Sequence, residues 1–131
     1  MTKVMLVDDD ASMQVLIEQI VRRGGYDFCC AGNGTDGLEM LRAERPDFLI
    51  LDEPIAQLDP AHADQIYEVL KAWNEMYHKT IIVIEHHTEY IAKYCKHVLL
   101  LKDGKAAWNF PPGRPCGGQR SFAGAIYFRR R

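Results

Sequence analysis

No stretch of the 131 residues approaches the roughly 18 consecutive apolar positions that a membrane-spanning helix needs, so no membrane span is expected. Lys3 leads straight into a strand pattern rather than into the apolar core of a secretory leader, and a cytoplasmic protein is the default expectation. Cysteine is scarce and poorly spaced for joint work. Cys29, Cys30, Cys95 and Cys116 form no C-x-x-C pair, and neighbours on a strand point to opposite faces, so all four read as reduced thiols rather than a zinc clamp. Acid is absent from residues 105–131, which carry six Lys and Arg and a net charge of +6; residues 1–104 hold all eighteen acids against ten bases, a net of −8. The overall charge of −2 therefore advertises neither nucleic acid nor an acidic partner, and the two stretches need separate readings.

What is present is alternation. Lys3–Val7 is an aliphatic run ending at Asp8-Asp9-Asp10. From Ser12 to Arg23, Met13, Leu16, Ile17, Ile20 and Val21 recur at helical spacing, a stripe expected to be buried, before Gly24-Gly25 stops the helix. Tyr26–Ala31 reads as a strand and Gly32-Asn33-Gly34 as its turn. Thr35 to Glu44 reads as a helix burying Leu38, Met40 and Leu41, and Phe48–Leu51, apolar at every position, as a central strand buried on both faces. Asp59-Pro60 is a side-chain cap followed by proline at the first helical position. It opens a helix through Tyr77 with Ile66, Val69, Leu70 and Trp73 as its stripe, and Tyr67, Met76 and Tyr77 read as core or rim packing. Thr80–Ile84, a short helix over Thr88–Tyr94, and His97–Leu101 complete the series, and Lys102-Asp103-Gly104 is a turn.

Five strands alternating with four helices predict one α/β domain over residues 1–104, a three-layer doubly wound parallel sheet with function at the carboxyl ends of its strands. Beyond it, 105–108 is expected to return as a short antiparallel strand. Pro111-Pro112-Gly113, Pro115 and Gly117-Gly118 then break any pattern, leaving an irregular basic tail that adds little to the core. The tail's Arg129-Arg130-Arg131 with Phe122, Tyr127 and Phe128 could suit RNA or anionic lipid, but without periodicity it is assigned no function, and no nucleic-acid partner is expected.

Two sets of motifs are recognisable. Residues 2–52 resemble the receiver domain of bacterial response regulators, through Val7-Asp8-Asp9-Asp10 after the first strand, the serine that opens the first helix, Gly34–Leu41, and Asp52 closing the third strand. The resemblance implies Mg²⁺ held by Asp8 and Asp9, and Asp52 as phosphoacceptor. Mg²⁺ suits this reading because it prefers hard carboxylate oxygens and offsets the charge of an incoming phosphoryl group. Lys102 stands where receivers carry a lysine that contacts the phosphoacceptor. The loop departs from the family pattern D-x-x-M-P, reading Asp52-Glu53-Pro54-Ile55.

Residues 46–107 resemble the second half of ABC-transporter ATPases of the cobalt or energy-coupling type. Phe48-Leu-Ile-Leu-Asp52-Glu53-Pro54 is similar to a Walker B strand, Ala56-Gln57-Leu58-Asp59-Pro60 to a D-loop, and Ile82-Val-Ile-Glu85-His86 to the strand leading to the switch histidine. That resemblance implies Asp52 as a Mg²⁺ ligand through water, Glu53 polarising water and His86 sensing a γ-phosphate. No G-x-x-x-x-G-K-[ST] loop occurs in these residues, so the ATPase roles of Glu53 and His86 are expected to be vestigial, with no nucleotide bound and no autonomous ATPase. Gly117-Gly118-Gln119-Arg120 resembles the family's signature motif but lies out of order.

The joint reading is a recombined or engineered chimera, receiver-like over 1–52 and ABC-ATPase-like over 53–104, with no intact parental activity and no partner required. At most, weak Mg²⁺ binding is expected at Asp8, Asp9 and Asp52. The alternatives are a phosphoacceptor switch at Asp52 and a fragment of an ABC ATP-binding subunit. The receiver-like strand order 2-1-3-4-5 is expected, against the order of P-loop NTPases. Two weaker motifs are set aside. Gly32-Asn33-Gly34-Thr35-Asp36-Gly37 meets GxGxxG but follows the second strand, so no NAD is expected. His86 and His87 are neighbours that should diverge on an extended segment, so they are read as inherited loop histidines rather than as zinc ligands.

Overall fold

The computed structural model describes residues 1–55, 59–95, 97–102, 105–110 and 123–128; for Thr88, His97 and residues from 99 onward it describes the backbone alone. The elements are β1 (Lys3–Val7), α1 (Ala11–Arg23), β2 (Asp27–Ala31), α2 (Gly34–Glu44), β3 (Phe48–Asp52), α3 (Pro60–Tyr77), β4 (Thr80–Glu85), α4 (Thr88–Tyr94), β5 (His97–Lys102), β6 (Lys105–Phe110) and β7 (Ala123–Phe128). No helix among the described residues is long and apolar enough to cross a membrane.

The caps explain where the helices begin. Asp10 Oδ1 accepts the Ser12 and Met13 N–H groups at 2.8 and 3.2 Å, Asn33 Oδ1 accepts that of Asp36, and Asp59 Oδ1 accepts that of His62 ahead of Pro60. Gly37 permits a close approach: a Cβ there would meet Val7 Cγ2 at 3.1 Å, so this glycine of the GxGxxG pattern serves the packing of α2 on β1. At the amino-terminal edge of the sheet, the Asp47 carboxylate accepts the Lys3 N–H at 3.0 Å and the Lys79 ammonium at 2.8 Å, tying β1 and β4 to the entry of β3.

The fold is α/β with a parallel sheet, and its strands run in the order β2-β1-β3-β4-β7-β5-β6. The first four are parallel neighbours in the flavodoxin-like order 2-1-3-4, with Phe48 opposite Thr80 and Asp52 opposite Ile84. The expected fifth position is corrected. β7 lies there, antiparallel to both β4 and β5, and β5 pairs onward with β6. The reading of residues 105–131 as one short strand plus an irregular tail is corrected with it. Ala123-Gly-Ala-Ile-Tyr-Phe128 is too short to show a period beside the Pro/Gly-rich stretch, yet its branched and aromatic residues suit a strand once two partners are supplied.

The larger core cluster lies on one face of the sheet, and Val4 and Leu6 of β1 are buried on the other. Met5, Leu49, Leu51, Ile81 and Val83 pack with Leu41 of α2, Ala63, Tyr67 and Leu70 of α3, and Tyr94 of α4. The face α3 buries is Ala63, Tyr67, Leu70 and Asn74; Ile66 and Trp73 are half-buried and Val69 is exposed. α1 lies against β1 and β2 and buries no residue. Gln14, Ile17 and Val21 form its half-buried side, whereas Met13, Leu16 and Ile20 are exposed, which corrects the expected stripe. Leu38 of α2 is likewise exposed. Because β3 alternates half-buried Phe48 and Ile50 with buried Leu49 and Leu51, it is not covered equally on both faces as expected.

Candidate functional site

The site forms where β1, β3 and β4 end. Val7 is opposite Leu51 in the parallel register, so Asp8 and Asp52, one residue further along, stand level on adjacent strands. Asp8 is buried. Its Oδ1 accepts the Asp10 N–H at 3.0 Å, its carbonyl accepts the Gln14 amide at 2.6 Å, and its Oδ2 is buried with no hydrogen-bond partner. Burial raises the Asp52 carboxyl above its ordinary pKa, and the charges of Asp8, Glu53 and Asp9 raise it further. Asp9 is exposed at the rim, and Asp10 is committed to capping α1.

Glu53 adopts φ 44°, a left-handed conformation that costs a non-glycine residue roughly 1–2 kcal/mol. Its N–H donates to the Ile84 carbonyl at 2.8 Å, which holds the turn against the end of β4. Its Oε1 lies 3.3 Å from His86 Nδ1, so the two residues read as vestigial ATPase groups are brought together.

Lys102 is not brought there. Asp52 is level with Ile84, Ala125 and Leu99 across the sheet, and Lys102 lies three strands over and three residues further along. That is roughly 14 Å across the strands and roughly 10 Å along them, further than an extended lysine bridges. The intervening β7 sets Lys102 apart from Asp52, the contact that the receiver resemblance alone would imply. The D-loop residues 56–58, Asp103-Gly104 and Gly117–Arg120 lie outside the described residues.

Sequence reasoning missed a buried constellation beside the carboxylates. Glu85 ends β4 fully buried; its Oε2 accepts the Tyr67 hydroxyl at 2.9 Å, and its Oε1 accepts the His86 and His87 N–H groups at 3.0 and 3.2 Å. His87 Nδ1 lies 2.7 Å from the same Oε1. Burial pushes the Glu85 carboxyl up, but the hydrogen bonds from the His87 ring and N–H, the Tyr67 hydroxyl and the His86 N–H outweigh it and hold the group below the ordinary glutamate range. The two imidazoles do not diverge as expected. The strand ends at Glu85, the chain turns into α4 at His87, and the ring centroids lie 4.3 Å apart. The available signal was a lone acid closing an otherwise apolar strand directly before two histidines. The described cysteines, Cys29, Cys30 and Cys95, are free, and burial pushes the Cys95 thiol up to about 12.

No family model matches the chain. It is 41% identical over 64 residues to a hemin import ATP-binding protein of Hydrogenovibrio crunogenus, covering 49% of this chain and 25% of that protein. It is 42% identical over 60 residues to an energy-coupling factor transporter ATP-binding protein of Staphylococcus saprophyticus, covering 46% and 21%. Among solved structures, a receiver domain of Methanoculleus marisnigri superposes with a TM-score of 0.56 at 23% identity, covering 70% of this chain and 75% of that one. One from Clostridium thermocellum gives 0.53 at 18%, covering 68% of each. In sequence the chain is similar to ABC ATP-binding proteins; in fold, to receiver domains. The chain spans about a quarter of the length of the curated relatives it matches, and the likeness to receivers is one of fold alone.

Proposed function

We propose that the chain is a recombined or engineered α/β domain, receiver-like through β3 and ABC-ATPase-like after it, whose acidic edge binds Mg²⁺ weakly and which performs neither parental reaction. The observation that carries the cation site is Asp8 Oδ2, buried without a hydrogen bond among the described residues, level with a second carboxyl whose ionisation is opposed. Hard carboxylate oxygens gathered at one edge fit Mg²⁺, and Asp8, Asp9 and Asp52 would hold it. Bound there, the ion would supply positive charge that offsets the carboxylates and any phosphoryl group. On the ATPase side, a chain without a Walker A loop lacks the backbone donors that cradle a triphosphate, so ATP affinity should be no better than millimolar.

Thermal unfolding against Mg²⁺ tests the site. Millimolar Mg²⁺ should raise the Tm of the parent chain and leave Asp8→Asn unmoved; an equal rise in both refutes the assignment. Calorimetry with ATP should show no micromolar binding. The second reading is a phosphoacceptor switch at Asp52, favoured by the level pairing of Asp52 with Asp8 and opposed by the displacement of Lys102. Acetyl phosphate with Mg²⁺, followed by intact-mass measurement, separates the two. A Mg²⁺-dependent phosphoadduct that is absent in Asp52→Asn would replace the first reading with the second. A third reading, a fragment of an ABC ATP-binding subunit, draws on the partial coverage of those relatives and would require ATP binding lost in Glu53→Gln.

A further inference from the structure

We propose that Glu85, His86 and His87, with Glu53 beside them, form a binding site for a divalent transition-metal ion of borderline softness, Zn²⁺ in particular. One potential ligand atom from each of Glu85, His86 and His87 can be chosen so that all lie within 4.8 Å of one another. His86 Nδ1 is 3.3 Å from Glu53 Oε1 and 3.9 Å from Glu85 Oε1, and His87 Nδ1 is 2.7 Å from Glu85 Oε1. Zinc bonds of about 2.0–2.2 Å in tetrahedral array put ligand atoms about 3.3 Å apart, so the two imidazole contacts with Glu85 lie within about 0.6 Å of what the ion requires, and Glu53 stands at such a distance from His86. Two imidazoles and two carboxylates are also a donor set that zinc takes and magnesium does not, since Mg²⁺ demands oxygen.

The mobility of the ligands is divided usefully. Glu85 has no exposed side-chain surface, and its Oε2 is fixed by the buried Tyr67 hydroxyl, so one carboxylate is already oriented at the base of the site. A hydrogen bond to the distal oxygen of a ligating carboxylate is the kind of outer support that metal sites use. The imidazoles are half-exposed, 50% for His86 and 37% for His87, which leaves the site open to solvent and the rings free to adjust by the ångström or so required. Coordination through Nδ1 requires each ring to carry its proton on Nε2. The Nδ1 that now faces Glu85 Oε1 would then face the metal instead.

Isothermal titration of the full chain with Zn²⁺, with Co²⁺ as a spectroscopic stand-in, tests the proposal. One equivalent should bind, and Co²⁺ should give the intense visible bands of a four-coordinate site. His86→Ala and His87→Ala should each weaken binding about 10-fold or more, and Tyr67→Phe by about 10- to 100-fold through the freed carboxylate. His62→Ala, at an exposed histidine paired with Asp59, should change nothing, and Asp8→Asn should abolish the Mg²⁺ response while leaving Zn²⁺ binding intact. Loss of Zn²⁺ binding in His62→Ala, retention in the His86/His87 double alanine variant, or displacement by equimolar Mg²⁺ would each overturn it. Because both histidines are half-exposed, their variants should fold, and circular dichroism of the apo forms checks that.

Discussion

Replacing Tyr67 by Phe removes one oxygen atom from the centre of the molecule. The ring is stacked between Tyr90 and Tyr94, with centroids 5.4 and 5.0 Å away and planes within about 12°, and phenylalanine keeps that packing. What goes is the 2.9 Å hydrogen bond to Glu85 Oε2, its one donor among the described residues; Oε1 keeps those from His86 and His87. A hydrogen bond to a buried charged group contributes about 1.5–3 kcal/mol, and an orphaned acceptor adds to its loss, so about 2 kcal/mol is expected at neutral pH. For a chain of this length that is a Tm lower by roughly 6–10 °C. The effect should depend on pH with a definite sign. The folded Glu85 pKa lies below its ordinary value, so the ionised group contributes stability that is present above the unfolded pKa and is lost as pH falls through the folded one. Tyr67→Phe removes one of the bonds that lower that pKa, so the variant begins to lose this stability at higher pH. The gap between the two proteins is widest near neutrality and narrows in acid, where both are protonated. Denaturant unfolding in EDTA at pH 7 and below pH 4 reads this directly. A difference under about 0.5 kcal/mol at pH 7, or one that stays constant with pH, would refute the buried Tyr67–Glu85 bond.

At the carboxylate edge the sign reverses. Burial, Asp8 and Glu53 raise the folded Asp52 pKa, so ionised Asp52 opposes folding above that pKa and ceases to do so below its unfolded value. Asp52→Asn, without divalent cation, should therefore stabilise the neutral-pH protein by roughly 0.2–1 kcal/mol, as relief of a like-charge cross-strand pair does; the gain should vanish in acid denaturant series, and destabilisation at neutral pH would contradict it. In β3, Leu49→Ala should cost about 2–5 kcal/mol because Leu49 faces the filled side of the sheet, whereas Ile50→Ala, on the thinly covered side, should cost less. Equal losses in urea unfolding would mean that α1 covers its face of the sheet as fully as α3 covers the other. Amide NMR contacts should link residues 48–52 to 80–84 and residues 81–85 to 124–128, and direct contacts from 98–101 to 81–84 would displace β7.

Local chemistry settled a great deal. The 2.0 and 3.6 residue periods, the cap at Asp59 and the stop at Gly24-Gly25 mark five strands and four helices within a residue or two of where they lie, because each signal is carried by neighbours in sequence. The level placement of Asp8 and Asp52 was legible too, since both close apolar strands of one parallel sheet and such ends share an edge. Pairing across distance was not. Nothing in Ala123–Phe128 names β4 and β5 as its partners, and that insertion is what carries Lys102 away from Asp52. Nor does a helical stripe state whether another layer covers it. Leu16 and Ile20 have the spacing of core residues and remain exposed, because burial depends on what packs outside α1 and not on α1 itself. The same holds for Glu85, His86 and His87. Their sequence is a strand end and two adjacent histidines, and only the turn into α4, the Tyr67 hydroxyl arriving from α3 and the left-handed Glu53 beside them bring these side chains together.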